Sequence, residues 1–291
     1  MRPPKLAIFN DLSGYGRCSL TVEIPVISAL GIQACPVPTS VLSNHTGFPK
    51  EYKVDLTEHM APYVKAWEDL DLAFDGILTG YMNYEAQVSL ASGFIEKTAT
   101  EKTVVFVDPA MADNGRLYRG FSEEYASYIK EKLIRKATIV KPNITEACIL
   151  TGFDYDEIIR DSKEHTMRKL KSHLMNIMDE LSALGPADIV ITGIERGNSI
   201  INAVSEGGEV KFLTGRKTGT NRPGTGDIFS AITCASVMKG MAFGKAAAKA
   251  SDFVSTAIRI SDEANVPPEE GVIFENILSK LSATADQLSP Y

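Results

Sequence analysis

Short apolar segments alternate with longer amphipathic segments along the first two thirds of the chain, and this alternation restricts the fold more than any other feature. The apolar segments have the length of strands and cover 5–9, 32–37, 75–80, 103–108, 137–142 and 188–193. The segments between them predict helices near 19–30, 55–67, 84–98, 122–136 and 165–184. Because strands that alternate with helices form parallel pairs, the pattern predicts a mostly parallel sheet with helices on both faces.

The pattern changes after residue 194. Two further strands, 199–205 and 209–214, are joined by Glu206-Gly207-Gly208, which predicts a small antiparallel hairpin. Helices are predicted near 226–239, 243–261 and 270–282. Since no repeat and no linker rich in Pro, Gly or Ser interrupts the chain, we expect residues 1–291 to form a single α/β domain.

The composition argues against several functional classes. The net charge is −7 and no cluster of Lys and Arg stands out, which argues against nucleic-acid binding. The chain shows no signal peptide and no apolar stretch of membrane-spanning length. Its four cysteines are scattered, with no CxxC pair, as is typical of reduced core thiols. We therefore expect a soluble cytoplasmic protein that binds neither nucleic acid nor a membrane.

Polar residues follow most of the predicted strands, at the edge of the sheet where ligands bind in this class of fold. They are Asn10-Asp11, 43–46, Gly80-Tyr81, Asp108 with Asp113, Asn143 with Glu146, and Thr192-Gly193. One edge thus collects groups suited to phosphate, to a metal and to a small polar molecule. Such clustering belongs to the fold class, so by itself it does not establish an enzyme.

The segment RPGTGDIF, at 222–229, places Asp227 near the start of a predicted helix, directly after three residues without bulky side chains, Gly224, Thr225 and Gly226. Several backbone N–H groups of these residues can therefore point at one anion. A negative side chain next to a bound anion is unfavourable for binding alone. Its presence is explained if Asp227 accepts a proton from the group that attacks the anion. The alternative is a helix cap, because Asp at this position stabilises a helix by about 0.5–2 kcal/mol.

Two pairs of polar residues fit a magnesium site. Asp108 ends a strand and Asp113 follows in a loop, so the two acids could hold Mg²⁺ through water molecules. Asn143 and Glu146 are one helical turn apart and share a face. The alternatives are a self-capping turn at Asp113 and a capping box formed by Asn143 and Glu146.

The segment GYGRCS, at 14–19, resembles a dinucleotide-binding fingerprint, but Ser19 stands in place of the third glycine. No acid follows about twenty residues later to bind a ribose, which argues against an NAD site. The chain also lacks a GxxxxGK[ST] phosphate loop, so ATP would have to be bound in another way.

Taken together, these segments resemble the pyridoxal kinases, ATP-dependent enzymes of the ribokinase superfamily. The segments that carry the resemblance are SNHTGF (43–48), GYM (80–82), VDPAMAD (107–113), KPNITEACILTG (141–152) and PGTGDIFSA (223–231). The resemblance extends from residue 5 to about 260. The SNHTG block is rather specific to vitamin B6 kinases, whereas GTGD and the Asn-x-x-Glu pair occur across the superfamily. The implied fold is a ribokinase-like three-layer α/β/α sandwich, and the implied assembly is a homodimer.

The resemblance also implies roles for individual residues. Asp227 would be the catalytic base, with the amides of Gly224, Thr225 and Gly226 as the anion hole. The pyridine ring of the substrate would contact Asn10, Thr46 and Tyr81, with His45 close by. The ATP phosphates and Mg²⁺ would be bound by Asn143 and Glu146, with Asp113 nearby, Thr192 beside the phosphates and Asp108 near a K⁺ or Na⁺ site.

Three departures from the family pattern affect these roles. Many family members have Gln-Ser-His where this chain has Phe9-Asn10-Asp11, which affects the ring contacts and hence the preferred vitamer. Ala112 replaces a common glycine, and Lys141 stands where Thr is common. These two changes affect the binding of the metal and of the monovalent cation.

The resemblance implies transfer of the γ-phosphate of ATP to the 5′-hydroxymethyl oxygen of pyridoxal, pyridoxine or pyridoxamine. The closest alternative is a hydroxymethylpyrimidine kinase, which uses the same mechanism on a similar flat heterocyclic alcohol. A protein that binds the nucleotide or the vitamer without turnover is the alternative from another class. The intact Asp227 argues against that last alternative.

Overall fold

The computed structural model describes residues 2–164 and 167–282. The strands, in chain order, are β1 (Lys5–Ser13), β2 (Gln33–Leu42), β3 (Lys53–Asp55), β4 (Gly76–Thr79), β5 (Val104–Val107), β6 (Ala112–Asp113), β7 (Arg116–Leu117), β8 (Ile139–Val140), β9 (Asp188–Arg196), β10 (Ser199–Glu206) and β11 (Glu209–Arg216). The helices are α1 (Leu20–Ala29), α2 (Thr57–Asp69), α3 (Glu85–Thr98), α4 (Glu123–Lys132), α5 (Ile144–Thr151), α6 (Tyr155–Glu164), α7 (Met167–Ser182), α8 (Thr225–Met238), α9 (Phe243–Glu263) and α10 (Ser279–Ser282).

The chain divides into two compact units, residues 1–78 with 218–291 and residues 79–217. In the first unit the strands lie in the order β4-β1-β2-β3. β1 and β2 are parallel, with Lys5 opposite Gln33, and β3 runs antiparallel to β2. Residues 6–9 of β1 are completely buried, as expected for a parallel strand covered on both faces. α8 packs against α1 and α9.

In the second unit the strands lie in the order β11-β10-β9-β8-β5. β5, β8 and β9 are parallel, and Val140 of β8 lies opposite Val107 on one side and Ile189 on the other. β9, β10 and β11 are antiparallel, which confirms the predicted hairpin at 199–214. β6 and β7 form a separate two-stranded ladder. α7 packs against α5, α6 and β9.

These elements confirm the predicted fold class, a mostly parallel sheet with helices on both sides and a small antiparallel hairpin. Each predicted strand is present, although several end at different residues. The helix expected near 165–184 is described from Met167, because residues 165 and 166 lie outside the described residues. The single-domain organisation of residues 1–291 stays a prediction.

The final helix, predicted near 270–282, is wrong over most of its length. Two short 3₁₀ turns, Pro268–Glu270 and Glu275–Ile277, precede the single turn α10. Gly271 has a φ of +80°, and a Cβ there would lie 2.7 Å from the carbonyl oxygen of Arg17. The backbone therefore turns at Gly271 where a continuous helix would need a negative φ. Among the described residues, no helix combines the length and the hydropathy needed to cross a membrane.

Candidate active site

The N-terminus of α8 presents bare backbone amides, as the segment RPGTGDIF predicts. Gly224 precedes the helix with a φ of +78°, and a Cβ there would lie 1.9 Å from the carbonyl oxygen of Arg17, so only glycine fits. The first intrahelical bond runs from the N–H of Ile228 to the carbonyl of Gly224. The amides of Thr225 and Gly226 precede that bond, and Gly224 offers no side chain to cap them. An anion is the natural acceptor for such a set.

Asp227 lies in the same first turn and is half-buried. One of its carboxylate oxygens accepts a hydrogen bond of 2.8 Å from the backbone N–H of Ser19. The other oxygen lies 3.5 Å from the side-chain amide of Asn10, which also donates at 3.0 Å to the buried Glu23. A backbone N–H and a side-chain amide thus help to orient the carboxylate.

Ser19 is itself held by a second buried acid. Its hydroxyl donates to Asp11 at 2.6 Å, and the hydroxyl of Ser13 donates to the other oxygen of Asp11 at 2.9 Å. Burial raises the pKa of Asp11, and the two hydroxyl donors offset part of that rise. In the sequence, Ser19 stands out only in place of a glycine, and no pattern predicts a role for Glu23. The sequence indicates this network only through the polar side chains that follow the apolar residues of β1.

The residues predicted to contact the pyridine ring differ in their placement. Asn10 is completely buried, and its side-chain amide lies 3.0 Å from Glu23 and 3.5 Å from Asp227, so its contact with the ring stays a prediction. His45 donates from Nε2 to the carbonyl of Glu269 at 2.7 Å and accepts at Nδ1 from the N–H of Gly47. Thr46, between His45 and Gly47 in the chain, is exposed.

Tyr81, also predicted to line the ring pocket, belongs to the second unit. It is half-buried in an aromatic group with Tyr118 and Phe121, whose ring centroids lie 6.4 and 5.6 Å from its own. The ring roles of Thr46, His45 and Tyr81 stay predictions.

Arg222, the first residue of RPGTGDIF, holds this segment in place and was missed from the sequence. Its guanidinium is buried and donates to Asp262 at 2.7 Å. It also donates to the carbonyls of Val266, Pro267 and Gly271, at 2.8, 3.1 and 2.9 Å. The side chain of Arg222 therefore connects the residues just before α8 with the end of α9 and the residues that follow it. Because its partners lie about forty residues later in the chain, no local pattern pointed to them.

Asn143 and Glu146 form a capping box, the structural alternative predicted from their spacing in the sequence. The side chain of Asn143 accepts from the N–H of Glu146 at 2.9 Å, and Glu146 accepts from the N–H of Asn143 at 2.9 Å. The second oxygen of Glu146 accepts from the N–H of Met111 at 2.9 Å. Burial and the charge of Asp108 raise the pKa of Glu146, while Lys141 and the N–H donors lower it in part. Both residues therefore have a structural role, whatever they bind.

The same side chains suit Mg²⁺ only through water. An ionised carboxylate has about four acceptor positions, and Glu146 uses three of them on the N–H groups of Met111, Ala112 and Asn143. One position is left for a water molecule, which is how Mg²⁺ commonly meets a carboxylate. Asp113 is exposed and accepts from the backbone and side chain of Asn114, the self-capping turn considered above. The donor set therefore fits a hydrated magnesium ion.

Thr192 lies beside Asn143 in an isolated parallel bridge, and its N–H donates to the carbonyl of Pro142 at 3.0 Å. At Thr192-Gly193 the pairing of β9 with β10 is interrupted by a bulge, and the side chain of Asn202 accepts from the N–H of Gly193 at 3.1 Å. Bulges of this kind redirect a side chain next to a site. The structure thus places Thr192 beside Asn143, with Asn202 supporting the bulge, and the role of Thr192 beside the phosphates stays a prediction.

Comparison with known proteins connects these features to a family. The sequence model of the phosphomethylpyrimidine kinase family matches residues 20–272. A proposed phosphomethylpyrimidine kinase from Bacteroides thetaiotaomicron is 33% identical, with a TM-score of 0.90 over 97% of this chain and 94% of that chain. A second crystal form of the Bacteroides protein contains pyridoxal.

Two further relatives are pyridoxal kinases. The enzyme from Lactobacillus plantarum is 27% identical, with a TM-score of 0.86 over 99% of both chains. The enzyme from Dictyostelium discoideum is 25% identical over 79% of this chain and 76% of its own length. The fold is thus that of the ribokinase-like kinases that the sequence resembles. The chain belongs to the phosphomethylpyrimidine kinase family.

Proposed function

We propose that the protein is an ATP-dependent kinase that phosphorylates the 5′-hydroxymethyl group of the vitamin B6 vitamers. One observation carries the proposal: α8 begins with bare amides that suit an anion, and in the same turn Asp227 is held by the N–H of Ser19. Phosphoryl transfer requires positioning and charge stabilisation from a protein more than covalent chemistry. An anion hole beside a carboxylate provides the two groups that act on the transferring phosphoryl and on the attacking hydroxyl.

The first unit carries the residues assigned to the acceptor alcohol. Asp227 accepts the proton of the hydroxymethyl group as its oxygen attacks phosphorus. The amides of Gly224, Thr225 and Gly226 bind the oxygens of the transferring phosphoryl and offset the charge that develops on them. Neither function changes the covalent structure of the protein, so the carboxylate only has to be correctly placed and able to take up a proton.

The second unit carries the residues assigned to ATP. Asn143, Glu146 and Asp113 would hold Mg²⁺ through its water molecules, and Thr192 would lie beside the phosphates. When bound, the ion neutralises the phosphate oxygens and orients the γ-phosphate. Asn143 and Glu146 cap each other, and the side chain of Asn143 also donates to the carbonyl of Ala112 at 2.7 Å, so hydrogen bonds within the protein position both side chains.

The substrate class rests on the relatives. The Bacteroides protein contains pyridoxal in one crystal form although it carries the phosphomethylpyrimidine name, and the two other relatives described are pyridoxal kinases. The SNHTG block of residues 43–47 supports the same class. Hydroxymethylpyrimidine is the second candidate, because the matching family is named for that chemistry and a Geobacter thiamine biosynthesis protein is 24% identical over 88% of this chain.

The test is ATP consumption by the purified protein with pyridoxal, pyridoxine, pyridoxamine and hydroxymethylpyrimidine, each at several concentrations. We expect the highest kcat/KM with one of the three vitamers. A pyrimidine alcohol turned over about ten times more efficiently than every vitamer, a difference of about 1.4 kcal/mol in the barrier, would overturn the proposal in favour of the second candidate. Absence of turnover with all four would favour a binding protein. A cytoplasmic location and a homodimer stay predictions.

A further inference from the structure

A buried ion pair lies where two neighbouring strands of the second unit end. Asp108 follows β5 and Lys141 follows β8, and the ammonium of Lys141 lies 2.7 Å from a carboxylate oxygen of Asp108. Their side chains are 8% and 5% exposed. The N–H of Lys141 donates to the carbonyl of Val107 at 3.0 Å, which continues the register that pairs Val107 with Val140. The backbone of the sheet therefore sets the two charged side chains side by side.

This arrangement does not fit the monovalent cation that the resemblance places near Asp108. A cation held by this carboxylate would have to approach an oxygen that already contacts an ammonium group. It would also have to come close to the positive charge of Lys141 in a buried environment, where repulsion between like charges is strong. The charge that such an ion would supply to Asp108, and through it to the neighbouring Glu146, is already present in the protein.

We propose that the ammonium of Lys141 is a built-in replacement for a monovalent cation, so that this protein needs neither K⁺ nor Na⁺. A buried carboxylate requires a compensating charge, and removal of one partner from a buried ion pair is strongly destabilising. A lysine joined to the sheet supplies that charge permanently, whereas a free ion has to be bound from solution. Replacing Lys141 with an uncharged residue creates both the need and the room for a free cation.

The experiment compares thermal unfolding of the full chain in KCl, NaCl, NH₄Cl and choline chloride at equal ionic strength. The wild type should unfold at the same temperature in all four salts. Lys141→Met should unfold at a lower temperature in choline chloride and recover by several degrees, saturably, as K⁺ or NH₄⁺ is added. The double variant Asp108→Asn with Lys141→Met has no charge to compensate and should lose the selective recovery.

Two outcomes overturn the proposal. One is a wild type whose unfolding temperature or turnover rises saturably with K⁺ or Na⁺ relative to choline. The other is a folded Lys141→Met variant that responds alike to every cation. If Lys141→Met does not fold, the wild-type comparison decides alone, and Lys141→Arg, which keeps the charge, should stay indifferent to the salt. Only the outcome measured as turnover depends on the proposed kinase function. The thermal measurements contain no substrate, so they decide it even if the vitamer panel fails.

Discussion

The backbone N–H of Ser19 donates a hydrogen bond to the carboxylate of Asp227 across a distance of 2.8 Å. Ser19 makes this bond from an unfavourable conformation, with φ at 51° and ψ at −139°, a region that residues other than glycine rarely adopt. Its hydroxyl meanwhile donates to Asp11 at 2.6 Å. The backbone is thus constrained at the point where it orients the proposed base, which is where such conformations tend to cluster in enzymes.

Ser19→Gly and Ser19→Ala should differ in stability although both lose the hydroxyl. Glycine adopts the observed φ without penalty, whereas alanine retains the unfavourable conformation. We expect the glycine variant to be more stable than the alanine variant by about 1 kcal/mol, the lower end of the cost of such a conformation. Urea unfolding measures the difference. Equal stability of the two variants would mean that Ser19 bears no strain.

Asp262→Asn should reduce both the stability of the protein and its sensitivity to acid. The guanidinium of Arg222 lowers the pKa of Asp262. A carboxyl with a lowered pKa contributes stability above its unfolded pKa, and the contribution is lost as the pH falls through the lower, folded value. At pH 7 the variant should unfold several degrees below the wild type.

Between pH 5 and pH 3 the wild type should therefore lose more stability than Asp262→Asn, so that the two unfolding temperatures converge. Thermal unfolding at intervals of half a pH unit tests this. Asp252→Asn on the same helix serves as the control, because the side chain of Asp252 has no ion pair with Arg222. A constant gap across the acid range would show that the Asp262 charge contributes nothing to stability.

Much of the fold follows from local patterns in the sequence. Residues 6–9 of β1 and all of β5 are continuous apolar runs, as is typical of parallel strands covered by helices on both faces, and such runs predict strands. α8 and α9 follow from glycines and apolar spacing close to their ends. The geometry of the segment RPGTGDIF could be predicted for the same reason, since the φ of Gly224 and the start of α8 depend on a few adjacent residues.

The parts that could not be predicted depend on distant residues. Arg222 finds its acceptors around 262–271, and Asn10 is buried between Glu23 and Asp227, which no spacing in the sequence reveals. α5 went unpredicted as a helix although its capping box was recognised, because its apolar residues give it no polar face. A pattern of polarity also cannot decide whether a polar residue contacts a ligand or braces a neighbour, as Asn10 illustrates.

Cys35 should be the thiol that reacts first with a disulfide reagent. Burial raises the pKa of Cys18 and of Cys148 to about 12 and also raises that of Cys234, so these three thiols stay protonated and covered. Cys35 is only half-buried, although its pKa is also raised by burial. Because reaction requires the thiolate, its rate should increase about tenfold from pH 7 to pH 8.

A spectroscopic thiol titration of the native protein should therefore show one fast group, and unfolding should expose all four. Cys35→Ser should remove the fast phase and leave unfolding unchanged. A fast phase that persists in Cys35→Ser would place the reactive thiol elsewhere.

Glu146→Ala should weaken activity in a way that additional Mg²⁺ partly restores, and it should also destabilise the protein. An acid that meets the ion through water contributes more to the binding of the metal–ATP complex than to the geometry of transfer. The variant also leaves the buried N–H of Met111 without its acceptor, which costs about 1–3 kcal/mol. The measurement is turnover as a function of Mg²⁺ concentration, with thermal unfolding alongside.

Glu146→Gln is the matched variant, since it keeps the volume and one oxygen but removes the charge. Its Mg²⁺ requirement should be raised as in the alanine variant. If both variants lose only stability and keep the wild-type dependence on Mg²⁺, Glu146 acts solely through the capping box.

Asp227→Asn separates a catalytic base from a structural residue more sharply than any other substitution. The helix cap considered from the sequence is not observed, because α8 is preceded by Gly224 and has no side-chain cap. Asparagine keeps the shape of aspartate, and its oxygen can still accept from the N–H of Ser19, so the fold should be kept. It cannot take up the proton of the attacking hydroxyl, and loss of a general base typically costs about 10²–10⁴ in rate. The amides of residues 224–226 are untouched and one negative charge is gone, so ATP should bind equally well or more tightly. Turnover, ATP titration and thermal unfolding of the same preparation test these points. A folded variant that binds ATP and keeps more than about a tenth of the wild-type kcat would leave Asp227 with a structural role alone.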